Sequence, residues 1–112
     1  MHYPSELTKG LEAYGLDQKE ARVYLAGLEL GATSVLELSR RTKLPRTTLY
    51  PILEKLTGRG VFREGKQKST TVYIAEAPKQ LMEKMRERES QLEQSLPAME
   101  LLQETSHGGP GV

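Results

Sequence analysis

At 112 residues, with 37% hydrophobic and 28% charged residues, the chain has the size of one domain with a modest core. Lysine plus arginine number 16 against 15 aspartate plus glutamate, so the net charge of +1 points to no partner and only the distribution of charge is informative. Zero cysteines exclude disulfides and thiolate metal ligands, no apolar run approaches the roughly 20 residues of a membrane span, and MHYPSELTKG lacks the apolar stretch of a signal peptide, so a soluble, cytoplasmic protein is expected.

Residues 5–14 (SELTKGLEAY) read as a short helix with Ser5 as its cap and Leu7, Leu11 and Tyr14 on one face, stopped by Gly15. Asp17 followed by Glu20 has capping-box spacing. Ala21, Tyr24, Leu25 and Leu28 then recur at i, i+3, i+4 and i+7 as one apolar face, which Gly31 ends. Thr33 or Ser34 opens a third helix that buries Val35 and Leu38, exposes Glu37, Arg40 and Arg41, and ends near Thr42. Only Lys43 and Leu44 intervene before Pro45, where a fourth helix starts and runs to about Thr57. Leu49, Ile52, Leu53 and Leu56 make its inner face, and Gly58 and Gly60 end it. Pro51 fits only if the helix effectively begins at Thr47 or Thr48; otherwise a kink follows.

Two β-type runs follow, 61–63 and 70–74, joined by the polar and basic EGKQKS, in which Gly65 can turn. A hairpin with a long tip is expected. Pro78 begins a last helix that reaches about Gln103. Its Leu81, Met85, Leu92, Leu96, Met99 and Leu102 are spaced three or four apart, with a gap at Arg88. That stripe is narrower than a helix packed on a globular core shows, and it reads as a seam against a second chain. The Arg88 stem would cover the seam while its charge pairs with Glu89 or Glu93. Pro97 is expected to kink or interrupt the helix. The division expected is a domain over 1–77, a dimerisation helix over 78–104 and a disordered tail over 105–112.

Helix, very short turn, helix, then a hairpin with a basic tip is the order of a winged helix-turn-helix. The expected fold is mainly α, an α+β domain with a wing and a long C-terminal dimerisation helix. In that motif the second helix, here about 45–57, enters the major groove and its first residues reach base edges. Those residues are Pro45, Arg46, Thr47, Thr48 and Tyr50. Arginine can donate two hydrogen bonds to guanine, and threonine can meet bases, a thymine methyl or phosphate. Tyr50 is equally readable as a core residue, a phosphate contact or a base reader. Charge partition agrees: residues 34–70 hold nine basic side chains against three acidic, net +6, and the remainder is −5. Arg40, Arg41 and Lys55 join the candidate DNA contacts, and Lys66 and Lys68 form the tip of a wing over about 64–70. Leu7, Leu11, Leu81, Met85, Leu92, Leu96 and Met99 are the candidate dimer interface.

GLDQKEARVYLAGLELG (15–31) followed by LPRTTLYPILEKLTGRG (44–60) resembles the N-terminal winged-helix domain of the TrmB family of transcriptional regulators. The family shows a Gly-Leu, a downstream Glu-Ala and Val-Tyr-Leu-Ala in its second helix. Its recognition helix starts Pro-Arg-Ser/Thr and continues to a Tyr and a Leu-Glu-x-Leu. The resemblance covers about residues 7–77. It implies recognition-helix roles for Arg46, Thr47, Thr48 and Tyr50 and wing roles for Lys66 and Lys68. The chain departs from the family at Lys43, where a Gly or Asn is common and some strain is expected, and at Pro51, early in the recognition helix. Larger members carry a sugar-sensing domain for which 112 residues leave no room, so a stand-alone domain is expected.

The expected partners are double-stranded DNA and a second copy of the chain, with no membrane, cofactor or metal; no effector is indicated. His2 and His107 read as ordinary surface residues. The other open reading is a protein-interaction module in a transcription or chromatin assembly, its basic face meeting an acidic partner. No nucleophile–base pair, phosphate-binding glycine loop or metal-ligand spacing indicates an enzyme.

Overall fold

Side-chain hydrogen bonds cap two of the helices in the computed structural model, which describes residues 3–106. Helix α1 (Ser5–Tyr14) starts at Pro4 rather than at the expected Ser5 cap: Ser5 is the first helical residue, and no side chain caps the end. Helix α2 (Gln18–Leu30) opens with a complete capping box, the Asp17 carboxylate accepting from the Glu20 N–H and the Glu20 carboxylate from the Asp17 N–H. Helix α3 (Val35–Thr42) opens with a second box, Ser34 with Glu37. Helix α4 (Arg46–Gly58) ends where Gly60, at φ 75°, bends the chain so that the Val61 N–H returns to the Leu56 carbonyl and the Gly60 N–H to Thr57. Those two bonds satisfy carbonyls that the helix end would leave open.

Strands β1 (Phe62–Gln67) and β2 (Thr70–Ala75) form an antiparallel hairpin, with Phe62 opposite Ala75 and Gln67 opposite Thr70. The expected long tip is therefore a two-residue turn. Lys68 and Ser69 make it, at φ 48° and 70°. Positive φ at both central residues matches the right-handed twist of the flanking strands. Gly65 does not turn; it pairs with Val72 inside the ladder. A third segment joins the sheet: Thr33 exchanges both backbone hydrogen bonds with Tyr73, at 3.0 and 2.7 Å. The link between α2 and α3 is thereby tied to the middle of β2.

The core of residues 1–78, one of the two units into which the chain divides, lies between α2, α3, α4 and the hairpin. Helix α2 buries more than the expected single face. Val23, Ala26 and Gly27 are buried with Ala21, Tyr24 and Leu25, while Leu28 is 38% exposed. Packing against α1, α3 and β2 covers α2 on several sides, so a single apolar stripe does not describe it. The inner face of α4 is Leu49, Leu53 and Leu56, all buried, with Ile52 half-buried. Phe62 anchors the hairpin: its ring meets Tyr24 edge-on, centroids 6.2 Å apart, and the Tyr24 hydroxyl donates to the Glu76 carbonyl at 2.6 Å.

The second unit, residues 79–112, is described as far as Ser106 and is helical throughout that span. Helix α5 (Pro78–Ser106) continues through Pro97, so of the kink or interruption expected there the interruption does not occur. A mid-helix proline removes one hydrogen bond, here to the Glu93 carbonyl, while its neighbours keep theirs. Thr105 and Ser106, expected in a tail, are the last helical residues, and the Thr105 hydroxyl donates back to the Leu101 and Leu102 carbonyls at 3.0 and 3.1 Å. Residues 1–2 and 107–112, with His2, His107 and most of that expected tail, lie outside the described residues. No helix among the described residues is long and apolar enough to cross a membrane.

Candidate nucleic-acid interface

The turn between α3 and α4 is held by three side-chain bonds. Ser39 donates to the Leu44 carbonyl at 2.6 Å, Thr42 donates to the Leu38 carbonyl at 2.7 Å, and the Leu44 N–H reaches the Thr42 hydroxyl at 3.3 Å. Leu44 is buried, which fixes the turn to the core. Lys43 sits in the left-handed region at φ 63°, in line with the strain expected of a non-glycine residue at this place in the motif. A residue with a Cβ is strained there, by roughly 1–2 kcal/mol.

Pro45 then precedes α4 without a side-chain cap, and no acid lies in the first turn. Unlike α2 and α3, this helix has no side chain bonded to its first backbone N–H groups, and no acid offsets its positive end. Burial of Leu49, Leu53 and Leu56 turns Thr47, Tyr50, Pro51 and Glu54 outward, while Arg46, on the leucines' side of the helix, is exposed because it is the first helical residue. Among the described residues the Arg46, Thr47 and Tyr50 side chains make no hydrogen bond. Thr48 is half-buried and flanks them. Pro51 is the sixth residue of the helix, which begins at Arg46 and not at Thr47 or Thr48. It therefore withholds the donor that would meet the Thr47 carbonyl.

The other candidates divide into two groups. Arg40, Lys43, Arg46, Lys66 and Lys68 have no carboxylate partner among the described residues. The Lys66 ammonium lies 2.8 Å from the Thr71 hydroxyl, across the hairpin near its tip. Arg41, Lys55, Arg59 and Arg63 are engaged in the fold. Arg41 pairs with Glu29, which also accepts from the Tyr3 hydroxyl. Burial first, then the hydrogen bond and charge of Glu29, push the Tyr3 phenol up to about 12. Arg59 donates to the Gly15 and Tyr14 carbonyls at the end of α1 and lies 5.8 Å from the Tyr14 ring centroid. Arg63 stands 3.5 Å from Glu76. The charge tally of the segment thus overstates the cationic surface, because sequence cannot say which cations are paired.

Lys55 differs most from its expected place. Its ammonium is 2.8 Å from the carboxylate of Glu20, which is buried and also closes the α2 capping box. Burial alone would raise the Glu20 pKa, but the Lys55 hydrogen bond, the Asp17 N–H and the Lys55 charge outweigh it and hold the group below its ordinary value. A depressed carboxylate pKa adds stability that is present above the unfolded-state value and is lost as pH falls through the folded-state value. Lys55 is more than half exposed, so the pair is worth about 1 kcal/mol and not the several of a dry pair. Glu20→Gln is therefore expected to be less stable than the unaltered chain at pH 7, with the gap closing as pH drops below about 4. Urea unfolding at the two pH values checks this; a gap independent of pH would remove the ion pair as its cause.

A family model described as the sugar-specific transcriptional regulator TrmB matches residues 11–79, which include the whole helix-turn-helix and wing. The chain belongs to the TrmB family. Members of that family are transcriptional regulators and not enzymes. The HTH-type sugar sensing transcriptional regulator TrmBL1 of Pyrococcus furiosus is 28% identical over 82 residues, 73% of this chain and 24% of that protein. Among solved structures, that of TrmBL2, an archaeal chromatin protein with a novel mode of DNA binding, aligns at a TM-score of 0.77 and 23% identity. The alignment covers 90% of this chain and 40% of that one. A MarR family protein from Bacillus stearothermophilus aligns at a TM-score of 0.57 and 17% identity, over 93% of this chain and 81% of its own. At these identities the structural likenesses establish the winged-helix fold. The chain spans about a quarter of the length of the curated TrmB-family relative.

The sequence missed two things about this TrmB-family surface. The wing turn at Lys68–Ser69 has none of the Gly or Asn that signals a two-residue hairpin, so its place could not be read. The locking role of Ser39 and Thr42 left only a weak trace, two small polar residues late in a helix whose next turn is non-helical.

Proposed function

We propose that the chain is a homodimeric transcriptional regulator of the cytoplasm that binds double-stranded DNA sequence-specifically, with α4 in the major groove and the wing on the backbone or minor groove. One observation carries the reading. The N-terminal turn of α4 holds Arg46, Thr47 and Tyr50 outward with no competing partner, next to a wing whose Lys66 and Lys68 have no carboxylate partner among the described residues. Arg40 and Lys43, at the end of α3 and in the turn, supply phosphate contacts in this reading. Lys55 and Arg41 are left out of it, since each already serves a carboxylate of the fold.

The DNA-binding TrmBL2 and the sugar-sensing TrmBL1 support the class of function without setting its details. Arg46→Ala is expected to remove about 1–3 kcal/mol of discrimination at one position of each half-site. Selection of bound duplexes from a random library measures it; uniformly weaker binding with unchanged preference moves Arg46 to the phosphate. In the same assay Lys66→Ala with Lys68→Ala reduces the slope of log affinity against log salt by about one for each phosphate no longer neutralised. Absence of any salt-sensitive duplex binding would overturn the reading in favour of a protein-interaction module.

A further inference from the structure

The outward face of α4 carries a carboxylate to which the proposed DNA contacts give no role. Glu54 is exposed, eight residues beyond Arg46, and has no hydrogen bond or ion pair among the described residues. It lines a cleft between α4 and the wing together with Tyr50, Thr57, Glu64 and Tyr73. A lone anion on a helix lying among phosphates weakens binding to every duplex alike, through like-charge repulsion. It is tolerated without that loss only opposite a hydrogen-bond donor. In the major groove the base-edge donors are the amino groups of cytosine and adenine. Adenine presents its N7 acceptor beside that amino group, which a carboxylate also faces unfavourably, whereas cytosine's own edge presents the amino donor alone.

We propose that Glu54 is a specificity-determining residue that accepts a hydrogen bond from the N4 amino group of a cytosine. This rests on the placement of α4 in the major groove. Eight residues of helix rise about 12 Å, and a helix lying along the inclined major groove meets three successive bases over about two turns. The cytosine therefore lies about two to three base pairs from the base met by Arg46. Glu54 also acts against wrong sites, because a carboxylate facing an acceptor or a phosphate lowers affinity there.

The test is selection from a random duplex library with the unaltered chain, Glu54→Gln, Glu54→Ala and Arg46→Ala, each at two salt concentrations. The unaltered chain is expected to prefer cytosine by about 5- to 100-fold at the stated distance from the position erased by Arg46→Ala. Glu54→Gln shifts that preference to adenine, whose N6 and N7 a glutamine matches. Glu54→Ala erases it and raises affinity for random duplex several-fold at the lower salt. If Arg46→Ala erases a position while both Glu54 variants keep every preference, the role of Glu54 is refuted and the placement of α4 stands. If neither Arg46 nor Glu54 variants change any preference, the placement of α4 fails and this inference with it.

Discussion

Sedimentation of a Leu92→Asp, Leu96→Asp variant at tens of micromolar is expected to give a folded monomer where the unaltered chain gives a dimer. The expectation follows from what α5 leaves uncovered. Leu92 and Leu96 are 62% and 47% exposed, and Met99, Leu101 and Leu102 are exposed as well. Of the other residues proposed for the seam, Leu81 is buried and Met85 is half-buried. Covering the exposed part of two leucines on each of two chains is worth about 4 kcal/mol at roughly 1 kcal/mol each. That is roughly a thousandfold in the association constant, before the cost of an aspartate in an apolar seam. Helix α1 points the same way: none of its ten residues is buried, and Leu7 is 45% exposed with Leu11 half-buried. In the proposed reading a second copy covers these apolar faces, and the resulting pair matches a two-fold DNA site. The monomeric variant should then bind a full operator about a hundredfold or more weakly, because two half-sites about one turn apart are no longer held together. An unaltered chain that sediments as a monomer, or a variant that stays dimeric, would end this proposal.

What could be read from sequence was what is settled within about four residues. The Asp17–Glu20 capping box is of this kind, since its bonds close over one turn of chain; the Ser34–Glu37 box closes over the same span, but from sequence either Thr33 or Ser34 could open α3. The inward face of α4 is another, because Leu49, Leu53 and Leu56 repeat at helical spacing and their burial turns Thr47 and Tyr50 outward, with Arg46 exposed at the helix start. What escaped depends on distant partners. The wing turn is set by the register of β1 on β2 and by the Thr33 bridge to Tyr73, and no turn residue at Lys68 or Ser69 announces it. The burial of Val23, Ala26 and Gly27 in α2 follows from packing on several sides. Lys55 belongs to Glu20, 35 positions earlier, although its helix position alone offers it to solvent. Charge counted along a segment measures composition; which cations are available is a property of tertiary structure.

Phe62→Ala should lower stability by about 3–5 kcal/mol, the range for emptying a buried aromatic site. The ring is 1% exposed and fills a notch in α2 that exists because residue 27 is glycine. A Cβ at Gly27 would stand 2.8 Å from two ring carbons of Phe62 and 3.1 Å from the Ala75 Cβ. Gly27→Ala therefore sets two effects against each other. Helix propensity gains about 1 kcal/mol, and forcing the ring outward costs about 1–3 kcal/mol. The ring cannot yield cheaply, since Tyr24 holds it edge-on from another side. A net loss is expected in the unaltered background. In the Phe62→Ala background the ring is gone, so the cost of Gly27→Ala should fall by at least about 1 kcal/mol. Urea unfolding of the four proteins closes the cycle. Additive effects would show that the ring and the glycine do not constrain one another. Coupling would identify the Gly27 notch as the point where β1, and with it the wing, is fixed to the helix that carries the core.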